Sequence, residues 1–145
     1  MDRLPILVRW VIWGALTLSI AVYLVVLQTM EGSAKPDPDA AGLKSVFYIV
    51  GGLSLLLSQG LRYLVNHLST PEGAPRIPAW IDQAFIASLA FAELPAILGL
   101  VLGLSGALFP VVLPLFVIAA LGMAMNNPTA FYRADLRQAD GSTDS

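Results

Sequence analysis

Four long stretches of this chain are almost free of charge, and its polar residues collect in the segments between them. The first stretch runs from about Trp10 to Met30 and carries no ionisable acid or base. The second spans roughly Leu43 to Val65, with Arg62 near its end, and the third Trp80 to Leu104. The fourth covers Leu108 to Met125. Apolar residues fill these stretches as blocks, without the alternation of a half-buried strand or the stripe of a surface helix. Each block approaches the ~20 residues a helix needs to cross ~30 Å of hydrocarbon, the fourth being slightly short. Helices are the only open element available there, because a lone strand would leave backbone polar groups unpaired in lipid. The pattern predicts an all-α, four-helix integral membrane bundle made of two antiparallel hairpins, a single membrane domain over residues 1–145.

The segments between blocks refine this picture. "LSGALFP" joins the last two blocks without a charge, so those helices should form a tight antiparallel hairpin. "HLSTPEGAPRIP" reads as an ordered loop, with Pro78 suited to the first turn of the third helix. "GSAKPDPD" reads as extended, since each proline disfavours helix at the residue before it. Asn126-Asn127-Pro128 should end the last helix, and residues 136–145 read as a disordered polar tail. Gly32-Ser33-Ala34 resembles a small-residue cleavage site, but the apolar core before it is longer than the 7–15 residues of a signal peptide. The first helix is therefore expected to stay in place.

Orientation follows from basic residues. Arg3, Arg9, Arg62, Arg76, Arg133 and Arg137 all fall on one side of a four-span chain, while the opposite loop holds only Lys35 and Lys44 among three acids. The excess of positive charge places both termini in the cytoplasm. Trp10, Trp13, Tyr63, Trp80 and Tyr132 cluster near the same face, as interfacial anchors do.

Composition narrows the chemistry. The chain is 57% hydrophobic and 12% charged, and that charged share is about half of what soluble domains carry. A net charge of −2 with no basic cluster gives no nucleic-acid partner. Without cysteine there is no disulfide, thiolate metal site or paired-thiol redox chemistry. The single histidine, His67, cannot supply both axial ligands of a haem and does not make a metal site, so no cofactor or metal is implied. Nucleotide motifs and paired catalytic groups are lacking, and no enzyme activity is expected.

One residue breaks the apolar pattern. In "FAELPAILGLVLGLSG", Glu93 lies about 18 Å along the third helix from Ile81, near the bilayer midplane. A charged carboxylate at that depth costs on the order of 2.5–3.5 kcal/mol on insertion scales. The cost is avoided if the acid takes a proton or faces polar partners inside the bundle. Ser19 and Tyr23 in the first span, and Ser54 and Ser58 in the second, lie at workable depths. Asp82, eleven residues earlier, occupies nearly the same helical angle about 16 Å closer to the cytoplasm. Asp82 and Glu93 could mark one polar line, although an acid in the first helical turn is the simpler account of Asp82. Gln59 and Arg62 are too close to the helix end to reach Glu93, and Arg62 is expected to snorkel to the interface. Ala92, Ala96, Gly99 and Gly103 belong to a strip of small residues that permits close helix packing, and Glu93 stands on its flank. Pro95 has no N–H for the Phe91 carbonyl, which allows a kink beside the acid.

"AELPAILGLVLGL" resembles the carboxylate helix of the proteolipid c subunits of rotary ATP synthases. Ala92, Glu93, Ile97, Gly99, Leu100 and Val101 match that helix. The resemblance implies that Glu93 binds and releases a transported ion. Leu94 stands where sodium-binding members carry a hydroxyl residue, so the implied ion is a proton. Three expectations follow: a subunit of a larger or homo-oligomeric membrane assembly with Glu93 as a buried protonatable group, a proton-translocating proteolipid, or an accessory subunit in which Glu93 only joins helices. In all three the partners are lipid and other membrane subunits or further copies of the chain.

Overall fold

Each apolar block folds as a helix in the computed structural model, which describes residues 5–30, 40–68 and 80–131. The helices are α1 (Ile6–Met30), α2 (Ala40–Leu68), α3 (Trp80–Leu104) and α4 (Phe109–Met125), followed by the single turn α5 (Pro128–Phe131). No strand occurs among the described residues. The flanks of α1 and α2 outrun the apolar blocks by about a turn, because backbone hydrogen bonding continues where hydrocarbon ends. His67 accordingly sits in the last turn of α2, stacked on Tyr63 at 5.6 Å, and not in a loop. Arg3, Lys35, Arg76, Pro78, Tyr132, Arg133, Arg137, the two long polar loops and the 136–145 tail lie outside the described residues.

Three helices, α1, α2 and α3, are long and apolar enough to cross a membrane. The fourth has 17 residues, which at 1.5 Å each cover about 25 Å. Pro110 sits in its first turn, and a second proline, Pro114, lies within it. The turn before it is a Schellman motif: Ala107 N–H donates to Leu102 O and Gly106 N–H to Gly103 O. Gly106 takes φ 91°, where a side chain would clash, so glycine is required at this tight turn.

The four long helices run up and down in alternation. Trp13 meets Met123 and Leu27 approaches Gly103, so α1 is antiparallel to α4 and parallel to α3. Ser58 meets Ser88 and Gly51 approaches Pro95, which sets α2 antiparallel to α3. The two described chain ends therefore share one face of the bundle.

The two expected hairpins do not both form. Helices α3 and α4 pack as anticipated, but α1 and α2 do not lie against one another; each seats on the α3–α4 pair. The reason is legible in the side chains. Small residues on α3 and α4 let neighbours approach on several sides: a Cβ at Gly99 would come within 2.9 Å of the Phe116 ring, one at Gly103 within 2.5 Å of Leu27, and one at Gly122 within 3.0 Å of Ala92. Half of the α3 span is buried, against 11% of α1 and 17% of α2, so α3 is the central helix. Phe85, Leu89 and Leu102 of α3 and Val112, Leu115 and Met123 of α4 are buried in one core. Pro95 is buried within α3, which continues through it.

Candidate functional site

Glu93 occupies the middle of the central helix and is only 8% exposed. It projects from the flank of the small-residue strip toward α1. There the Tyr23 hydroxyl donates to its Oε1 at 3.2 Å, and the Ser19 hydroxyl is in short hydrogen-bond contact with the same oxygen. Ser19 and Tyr23 are four residues apart on α1, which stacks them on one helical face. The acid and its two partners thus tie α1 to α3 at mid-depth.

Hydrogen counting adds a constraint. The Ser19 Oγ lies 2.7 Å from the Leu16 carbonyl as well as against Glu93 Oε1. A serine hydroxyl owns one hydrogen and can donate it to one acceptor at a time. A carboxylate, being acceptor-only, would leave one of the two contacts without a hydrogen. The Ser19 hydroxyl donates to the Leu16 carbonyl or to Glu93 Oε1, and a protonated Glu93 would supply the second hydrogen that lets both contacts be hydrogen bonds at once.

The remaining candidates are engaged elsewhere. The Ser54 hydroxyl bonds back to Gly51 O within α2, and Ser58 donates to Ser88 O. Ser58 lies level with Ser88, about 7.5 Å along the bundle from Glu93, and Ser54, although near the depth of Glu93, is on α2 while the acid faces α1. Asp82 is in the first turn of α3, as expected, yet it is paired with Arg9 at 3.2 Å with its side chain 14% exposed, not wetted at the interface. Ala92 and Gly99 pack on α4, and Gly103 on α1; Ala96 is fully buried.

Two features were missed from sequence. Arg9 is buried inside α1 and forms an interhelical pair, where its position had suggested only an orienting charge. Its signal was an opposite charge on a parallel span at the same depth. Asn126 caps α4 and is fully buried, donating through Nδ2 to Ser58 Oγ at 2.7 Å and to Gly122 O at 2.8 Å. Together Asn126, Ser58 and Ser88 join α2, α3 and α4. Trp13 contributes a fourth tie, donating from its indole N–H to Met123 O at 2.9 Å.

Among the described residues no three His, Asp or Glu side chains gather as a metal site. Compared with protein-family models, curated proteins and solved structures, the chain matches none.

Proposed function

We propose that this chain is a small, non-enzymatic, multi-pass protein of a bacterial-type inner membrane, with both termini cytoplasmic. It works inside a larger or homo-oligomeric assembly, and Glu93 is its buried protonatable group. The observation that carries this is the hydrogen count at Ser19: two acceptors surround one hydroxyl hydrogen, and a protonated Glu93 satisfies both. A neutral acid also removes the insertion cost of a charge at the bilayer centre. Held this way, Glu93 is both a tie between α1 and α3 and a store for one proton.

A second reading assigns Glu93 to proton translocation in a c-subunit-like oligomer. The residual 8% exposure supports it, because the acid is not sealed from its surroundings. The third reading makes the acid a helix tie alone.

Carbodiimide labelling of Glu93 across a pH series in native membranes, with Glu93→Gln as control, tests all three. Modification that depends on pH, together with proton flux that the Gln variant loses, supports translocation. Slow modification with no flux, and an assembly that the Gln variant retains but Glu93→Leu disrupts, supports the tie. Full assembly of Glu93→Leu with no defect overturns every role given to the acid.

A further inference from the structure

A second polar feature lies on the outer surface of α2. Gln59, Arg62, Tyr63 and Asn66 line an open groove of about 340 Å³. They stand at positions i, i+3, i+4 and i+7, so they share one helical face. Arg62, Tyr63 and Asn66 supply hydrogen-bond donors there, and Arg62 adds a full positive charge with no carboxylate pairing it among the described residues.

Depth narrows the ligand. The pairings of Ser58 with Ser88 and Gly51 with Pro95 place Leu53 level with Glu93. Arg62 then stands roughly 13.5 Å from that level, at the edge of a hydrocarbon layer whose half-thickness is about 15 Å. The arginine stem reaches from there to phosphate height.

The same face continues toward the bilayer centre as exposed apolar surface. Gly52 lies seven residues before Gln59, and a Cβ there would meet nothing within 4 Å. Exposed Ile49 and Leu56 precede and follow it on that face, so Gly52 leaves a gap between two aliphatic side chains. Donors at phosphate depth above an aliphatic surface match the two parts of one molecule. We propose that this face binds an anionic phospholipid, its phosphate on Arg62 and one acyl chain along Gly52.

Native mass spectrometry of the full chain, released from bilayers of equal phosphatidylglycerol and phosphatidylcholine, tests the proposal. The wild type should retain phosphatidylglycerol several-fold over phosphatidylcholine. Arg62→Gln should abolish that preference. Gly52→Leu, which fills the gap between Ile49 and Leu56 from a position where a Cβ meets nothing within 4 Å, should lower retention of both lipids. A thermal shift with inorganic phosphate alone should be far smaller than with phosphatidylglycerol. Equal retention of the two lipids by the wild type overturns the proposal. So does an unchanged preference in Arg62→Gln, unchanged retention in Gly52→Leu, or a phosphate shift matching that of the lipid.

Discussion

Replacing Glu93 separates its chemistry from its shape. Glutamine keeps an oxygen that accepts from Tyr23 and an amide that donates to Ser19, so it mimics the neutral acid. Leucine offers neither, so Tyr23 loses this acceptor and Ser19 keeps its bond to the Leu16 carbonyl alone. In membranes such interhelical bonds contribute about 0.6–2 kcal/mol each. Glu93→Gln should therefore change stability by less than about 1 kcal/mol, while Glu93→Leu should lose roughly 1–3 kcal/mol. Unfolding of the purified protein in mixed micelles reads both, and a Gln variant as unstable as the Leu variant would contradict the neutral-acid account. At the bundle end, Arg9 and Asp82 form a pair whose side chains are 8% and 14% exposed. Breaking a buried pair by truncating one member is destabilising, so Arg9→Gln should cost about 3 kcal/mol, and Asp82→Asn in that background should recover part of it. A double variant no more stable than Arg9→Gln would show that the charges are independent.

Among the elements, glycine positions divide by what surrounds them. Gly99 faces the Phe116 ring and the Leu115 Cβ, neither of which can swing aside cheaply. Gly99→Val should destabilise the fold by about 1–3 kcal/mol through overpacking. Gly60, with nothing within 4 Å of a built Cβ, should accept alanine without loss, and the same unfolding assay compares the two. An equal effect at both sites would contradict the packing described for α3. Element identity was largely legible in advance: the expected third span coincides with α3, and the fourth begins one residue before α4. Hydrophobic block length decides where a helix crosses hydrocarbon, and that signal is strong. Which helices touch was less legible, because block length carries no angular information. Ser54 had the right depth for Glu93 but the wrong face of α2, and Ser58 lies level with Ser88, about 7.5 Å from the acid's depth. Ser19 and Tyr23 had both, four residues apart on one face. Asn126 read as a helix stop and is one, but its burial depends on Ser58 and Gly122, which only the assembled bundle brings together.

As a whole molecule, the chain is a central α3–α4 pair with α1 and α2 seated on it separately. Each outer helix is held by a distinct polar set: Arg9, Trp13, Ser19 and Tyr23 for α1, and Tyr48 with Ser58 for α2. The natural absence of cysteine makes this arrangement directly testable by cross-linking. Leu27→Cys with Gly103→Cys should form a disulfide in membranes, as should Ser58→Cys with Asn126→Cys. Cysteines at mid-depth on α1 and α2, Ala21→Cys with Gly52→Cys, should not. Efficient linkage of that last pair would restore the conventional hairpin and contradict the described packing.

The protonation of Glu93 in a bilayer tests the central claim most directly. Infrared spectra of the reconstituted protein at neutral pH, wild type minus Glu93→Gln, should contain the carbonyl band of a protonated carboxylic acid, shifted by hydrogen bonding and altered again in Ser19→Ala. A difference spectrum showing only the paired bands of an ionised carboxylate, unaffected by Ser19→Ala, would contradict the account.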